Sequence, residues 1–247
     1  MTTLDNLIAN WPAPSHITAL TTMRKSGFSL PPYDNFNLAL HVGDDPNLVS
    51  ANREYLLGQL KLPSQPEWLN QTHTNRCICV DIETSRDGDA AVTRDPKRVL
   101  AIMTADCVPI VICNRLGTEI AAIHAGWRGL LNGIIDNTIA QLKSSPEDLM
   151  AWVGPCICAD CYEVGDEVRA AFIQSNPLNE NGFMTTPSHS DSGEPKWMAN
   201  LPQLVENRLY SRNVRAVYQS NACTFEQKDS FYSYRRMPQT GRIATLI

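Results

Sequence analysis

The sequence predicts an α+β fold in one domain spanning residues 1–247, with a mixed or antiparallel sheet and helices on its outside. Three observations predict it. Apolar runs of strand length crowd the middle of the chain at 99–104, 108–113 and 119–124, and a hairpin-type turn at 114–117 joins the last two. Segments with helical periodicity alternate with strands too irregularly for a doubly wound parallel sheet. No linker, internal repeat or low-complexity tract divides the 247 residues, and their 43% apolar content suits one sizeable core.

Taken in order, residues 16–23 are β-branched and read as a strand that runs into loop chemistry at Gly27 and Pro31-Pro32. Residues 52–60 predict a short amphipathic helix closed by Pro63. An irregular Gln-Thr-His-Thr-Asn segment precedes a strand at 77–82, and Asp87-Gly88-Asp89 reads as a turn. After the three central strands, Gly126-Trp127-Arg128-Gly129 opens a helix. Its buried face is Leu130, Leu131, Ile134, Ile135, Thr138, Ile139 and Leu142. Pro146 marks a boundary before a strand at 149–153. Helices are predicted at 164–174 and 201–210, with a polar loop at 185–194 between them, and strands at 214–219 and 242–247.

Composition narrows the partners. Net charge is −5, from 26 acidic and 21 basic residues, with no Lys/Arg cluster to neutralise a phosphate backbone, so nucleic acid is not expected. The start, MTTLDNLIANWPAP, has neither the basic nor the apolar region of a secretory signal, and no window resembles a membrane span. Eight cysteines without an export signal predict thiols or metal ligands in a reducing compartment, the cytoplasm.

Five histidines are present. His16 begins a strand and His189 lies in a polar stretch, and neither setting suggests chemistry. His124 ends an apolar strand before a glycine-punctuated turn, where it can project into a cleft. Cys107 follows Asp106 between two strands. It reads either as a small apolar residue in a tight connection or as a thiolate, nucleophile or ligand. His73 stands in a loop between Thr72 and Thr74. Two imidazoles and one thiolate suit zinc and leave a fourth position open, although the spacing is not that of a local zinc finger and leaves convergence undecided. The rival cluster is Cys156-x-Cys158-x-x-Cys161. A structural zinc wants four ligands and the chain has no second C-x-x-C, so these three read as reduced structural or surface thiols.

The blocks QTHTNRCICVD, TADCVPIVICNRLGTEIAAIHAGWRGLLNGII and VGPCICADCYEVGDEV resemble the YfiH-type family, known under laccase-domain, polyphenol oxidase and purine nucleoside phosphorylase labels. The likeness runs from SLPPYDNFNLALHVGDDP to FYSYRR and TGRIATLI, and is nearest to proteobacterial, cytoplasmic members. It implies a single-domain mixed β-sheet sandwich flanked by helices, grouped with toxin-type cysteine hydrolases. It also implies zinc ligands at His73, Cys107 and His124. The activity implied is phosphorolysis of adenosine, inosine and methylthioadenosine with deamination of adenosine. Some relatives are linked instead to peptidoglycan editing. The laccase label fails on counting, since five histidines cannot fill a type 1 copper site and a trinuclear copper cluster. One departure is Asn200, where relatives commonly carry Asp. Asn is also a competent helix N-cap.

On this basis His73, Cys107 and His124 are expected to hold zinc, with Cys107 and His124 catalytic. Asp106, the nearest carboxylate in sequence, is expected to move protons. Arg128 and then Arg53 are expected to neutralise phosphate, and Asn37 and His41 to line the cleft. The expected partners are a nucleoside and phosphate, without nucleic acid or membrane, in a monomer or homodimer. Two alternatives stand beside this reading: a Cys107 nucleophile activated by His124, cleaving an amide of a muramyl precursor, and a non-enzymatic zinc-stabilised binding protein.

Overall fold

The computed structural model describes residues 4–189, 193 and 195–247. Two sheets lie face to face. A five-stranded sheet has the order Asn6–Ile8, Leu20–Thr22, Ile243–Leu246, Val99–Thr104, Pro66–Trp68, antiparallel except for its last pair. A six-stranded sheet has the order Ala216–Gln219, Leu149–Val153, Val108–Asn114, Ile120–Ala125, Ala90–Thr93, Cys77–Cys79, parallel at its two ends and antiparallel in the middle. The predicted mixed sandwich is therefore present, and a small third sheet, Glu163–Gly165, Pro195–Ala199 and Phe183–His189, adjoins it. The stretch 185–194, expected as a loop, contributes Thr185–His189 to that sheet, while residues 190–192 and 194 lie outside the described ones.

The period-2 logic of a strand explains why the central runs are apolar throughout. Along Val108–Asn114, Ile110 and Ile112 face the helices, with Leu130, Ile134, Leu204 and Leu209 in one cluster. Val111 and Cys113 face the other sheet, with Leu100, Ile102 and Trp152. On the opposite face of Val99–Thr104, Val99 and Ala101 cluster with Phe36, Leu38 and Leu56, the last from the helix Pro46–Leu60. That helix begins six residues before the predicted start. The Asp45 side chain caps it by accepting from the Asn47 amide at 2.8 Å, and Pro46 occupies its first turn.

Positive backbone φ shapes two further places, a broken helix and a sharp corner. The helix predicted to open at Gly126-Trp127-Arg128-Gly129 and run to Leu142 is two helices, Trp127–Leu131 and Ile134–Gln141, because Gly133 at φ 88° breaks the run. The strands Val99–Thr104 and Val108–Asn114, adjacent in sequence, belong to opposite sheets. The three residues between them, Ala105-Asp106-Cys107, turn the corner of the sandwich, and Asp106 takes φ 94° to do so. Cys107 is thereby placed at one end of both sheets.

Candidate metal centre

His73, Cys107 and His124 meet at that end. One ligand atom from each lies within 4.8 Å of the others; Cys107 Sγ is 3.7 Å from His73 Nε2, and the two imidazole rings are 4.8 Å apart. Each arrives by a different route. Cys107 comes from the sandwich corner, and His124 from the strand Ile120–Ala125, where it pairs with Pro109. His73 comes from the irregular segment before Cys77–Cys79, in the left-handed region at φ 61°.

A fourth residue fixes the geometry. Asp89, fully buried, accepts from the backbone amides of Thr72, His73 and Thr74 at 3.2, 3.0 and 2.6 Å and from the Thr74 hydroxyl at 2.7 Å. These successive amides form a concave nest around the carboxylate. Asp89 Oδ1 also lies 2.7 Å from His124 Nδ1. A proton on Nδ1 leaves Nε2 as the ligating nitrogen, the carboxylate–histidine arrangement that orients metal ligands. Burial alone would raise the Asp89 pKa, but the hydrogen bonds from His124 and Thr74 bring it to about 2. Cys107 and His124 shift each other. Burial opposes charge on both, yet the imidazolium lowers the thiol, and the thiolate together with Asp89 raises the imidazole.

The donor chemistry fits a borderline-soft ion such as zinc: two imidazoles, one readily ionised thiol, and room for a fourth ligand. Gly126 keeps that space clear, since a Cβ there would stand 2.7 Å from His73 Cδ2 and 3.2 Å from Cys107 Sγ.

The other residues expected at the site divide into two groups. Asp106 is not free beside Cys107. Its carboxylate accepts from the Thr224 hydroxyl at 2.7 Å, the Ser233 hydroxyl at 3.0 Å and the Arg235 amide at 2.7 Å, which anchors the corner. Asn37 does not line a cleft. It is fully buried, with its amide bonded to Ala39, Asp44 and the Arg242 backbone. The second group is cationic. Arg53 bonds the Leu38 carbonyl and lies 4.1 Å over the Trp68 ring, and burial pushes its guanidinium down to about 10. His41, at the surface, is held below its ordinary value by partial burial and by Arg242, Arg53 and His124. Burial likewise lowers Arg242, against the pull of Cys107 and Asp106. Arg128 is exposed, 4.4 Å over Trp127. Among the described residues Arg53, Arg128 and Arg242, like Arg215, Arg235 and Arg236, form no ion pair with a carboxylate, whereas Arg24, Arg86, Arg98, Arg169 and Arg208 do. Arg242 and Asp89 are the residues here that sequence reasoning passed over.

A mixed sandwich with a two-histidine, one-cysteine centre at the corner between its sheets defines the class. The chain belongs to the family described as multi-copper polyphenol oxidoreductase laccase, whose model matches residues 18–247. Among similar proteins, the purine nucleoside phosphorylase YfiH of Escherichia coli (strain K12) is 40% identical over 98% of this chain and 97% of its own length. The purine nucleoside phosphorylase of Haemophilus influenzae is also 40% identical, over 96% of each chain. Among solved structures, the Neisseria meningitidis protein NMB0706 of the DUF152 family matches with a TM-score of 0.89 and 41% identity, over 98% of this chain and 97% of that one. The Bacillus licheniformis protein YfiH matches with 0.83 and 28%, over 93% and 91%.

Proposed function

We propose that this chain is a zinc-dependent purine nucleoside phosphorylase, acting on adenosine, inosine and methylthioadenosine, with adenosine deaminase activity at the same site. The observation that carries the reading is the convergence of His73, Cys107 and His124 on one point, backed by Asp89. Full-length relatives bearing the phosphorylase name support it. Zinc held by the three side chains would supply a Lewis acid with an open coordination position.

The remaining work falls to the chain's own groups. Phosphorolysis needs cationic groups to hold a phosphate dianion, and Arg53 and Arg128 are assigned that role, with Arg242 and His41 beside them. Asp89 fixes the His124 tautomer and the His73 loop. Asp106 positions Cys107 rather than moving protons itself. No helix among the described residues is long and apolar enough to cross a membrane. The eight thiols favour the cytoplasm, and a monomer or homodimer is expected by light scattering.

Incubation of the purified protein with adenosine, with and without phosphate, tests the reading. Adenine formed only with phosphate means phosphorolysis, and inosine means deamination. Neither product, together with cleavage of a UDP-muramyl-serine amide, would overturn it. That second reading has its own support, because Cys107, His124 and Asp89 also stand as nucleophile, base and orienting carboxylate. Metal at this centre separates the two: a simple cysteine hydrolase turns over with the His73, Cys107 and His124 centre empty, whereas the proposed enzyme does not.

A further inference from the structure

A second group of metal-ligand side chains, all of them thiols, converges elsewhere in the fold. The Sγ atoms of Cys158, Cys161 and Cys223 are all within 4.8 Å of one another. Cys158 and Cys161 flank and close the short turn Ala159–Cys161, while Cys223 comes from the loop that follows the strand Ala216–Gln219. Cys223 Sγ is 2.9 Å from Cys158 Sγ and accepts from the Cys158 amide at 3.3 Å. Glu226 Oε1 is 4.0 Å from Cys161 Sγ. Two ligand sulfurs on one tetrahedral zinc, at about 2.3 Å from the metal each, stand about 3.8 Å apart. The Cys158–Cys223 pair is closer than that and no pair is beyond 4.8 Å, so small rotamer changes reach the required spacing. The objection from sequence was that one C-x-x-C supplies too few ligands. The fold answers it by bringing a third thiol and a carboxylate from a distant segment. The cluster opens on a cavity of about 270 Å³ lined by Cys158, Asp160, Asn221 and Cys223, so an ion has a way in.

We propose that Cys158, Cys161 and Cys223, with Glu226 as the oxygen donor, bind a second, structural zinc ion. A site closed by four protein ligands activates no water; it ties chain segments together. The segments tied here are those that carry the sandwich corner. The Ile157 amide donates to the Asp106 carbonyl at 3.0 Å, and the Thr224 hydroxyl donates to the Asp106 carboxylate at 2.7 Å. Thr224 and Cys156 are joined at 3.0 Å, and Cys156 and Ala222 at 3.2 Å. The second ion thus braces the turn that presents Cys107, and its presence does not depend on what the first centre catalyses.

The test uses the full-length chain purified with reductant, in a His73→Ala/Cys107→Ala background that removes the first centre. About one tightly bound zinc per chain is expected there by elemental analysis, and its loss on adding Cys161→Ser. Cobalt in place of zinc should give thiolate-to-metal charge-transfer absorption that disappears with the same change. Glu226→Gln, at an exposed side chain, should weaken zinc binding about tenfold in chelator competition, which keeps the comparison open if Cys161→Ser does not fold. A folded background variant with no bound zinc and no cobalt–thiolate absorption overturns the proposal. So does a Cys158–Cys223 disulfide that persists under reductant, found by peptide mass. The wild-type chain, expected to carry one ion more than the background, reports on the first centre separately.

Discussion

Asp89 joins two parts of the molecule that approach from different directions, the 72–74 loop and the His124 ring, through one buried carboxylate. Asp89→Asn keeps the volume but loses the charge and part of the accepting capacity. Loss of such an outer partner typically weakens a metal site about 10–100-fold. Zinc affinity of the variant, measured by chelator competition, should fall in that range, and an unchanged affinity would remove Asp89 from the account. The carboxylate also makes acid stability testable in metal-free protein. Its folded pKa, about 2, lies below its ordinary value of 3.8. Between those values the unfolded chain binds more protons, so the stabilisation is complete above about pH 4 and is lost as pH falls towards 2. About 2 kcal/mol is at stake. Denaturant titrations of the wild type should lose about that much more than Asp89→Asn over the same interval. At this scale the sequence displayed the ligand types but hid their organiser. Asp87-Gly88-Asp89 has turn composition, and what makes Asp89 special is a set of amides on a separate loop 15–17 residues earlier. A visible hint was an acidic residue directly preceding the fully buried strand Ala90–Thr93. Gly126 gives a sharper test, because a methyl group between His73 and Cys107 fits only if the His73 ring is displaced. Gly126→Ala should abolish zinc binding at the first centre while the far-UV circular dichroism is retained.

Elements were read well where a period and a cap agreed. Asn200 begins the helix Leu201–Ser211, its side chain accepting from the Gln203 amide at 3.1 Å. Asn200→Ala should cost about 1 kcal/mol, while Asn200→Asp should be close to neutral, both in urea unfolding. An equal loss in the two variants would assign Asn200 some other role. The break at Gly133 was not legible, because a glycine within an apolar 3.6-residue pattern leaves the pattern intact. Only the φ of 88° separates two helices from one. For the same reason Gly133→Ala should destabilise the fold by about 1–2 kcal/mol, although a helix-propensity argument alone would predict a gain. The early start of Pro46–Leu60 was signalled by Asp45-Pro46, a cap followed by a first-turn proline.

At the scale of the whole molecule, the strand content was legible and the strand partners were not. Continuous apolar runs reveal that both faces of a strand are buried, but not which strand lies beside it. The corner at Ala105-Asp106-Cys107 shows the limit, since a three-residue connection suggests a hairpin and here sends its two strands into opposite sheets. The strand Ile243–Leu246 shows it again. The last strand of the chain lies inside the five-stranded sheet, paired with Leu20–Thr22 on one side and Val99–Thr104 on the other. Ile247 exchanges backbone hydrogen bonds with Leu100 at 3.1 and 2.9 Å, and all five residues from Ile243 to Ile247 are buried. Removing them would open two sheet edges in the middle of the sandwich and uncover its core on that side. The truncated chain should therefore lose its near-ultraviolet circular dichroism and its cooperative thermal transition together. A truncated protein that still melts cooperatively and binds zinc at His73, Cys107 and His124 would show that the six-stranded sheet and its helices hold the centre without their partner sheet.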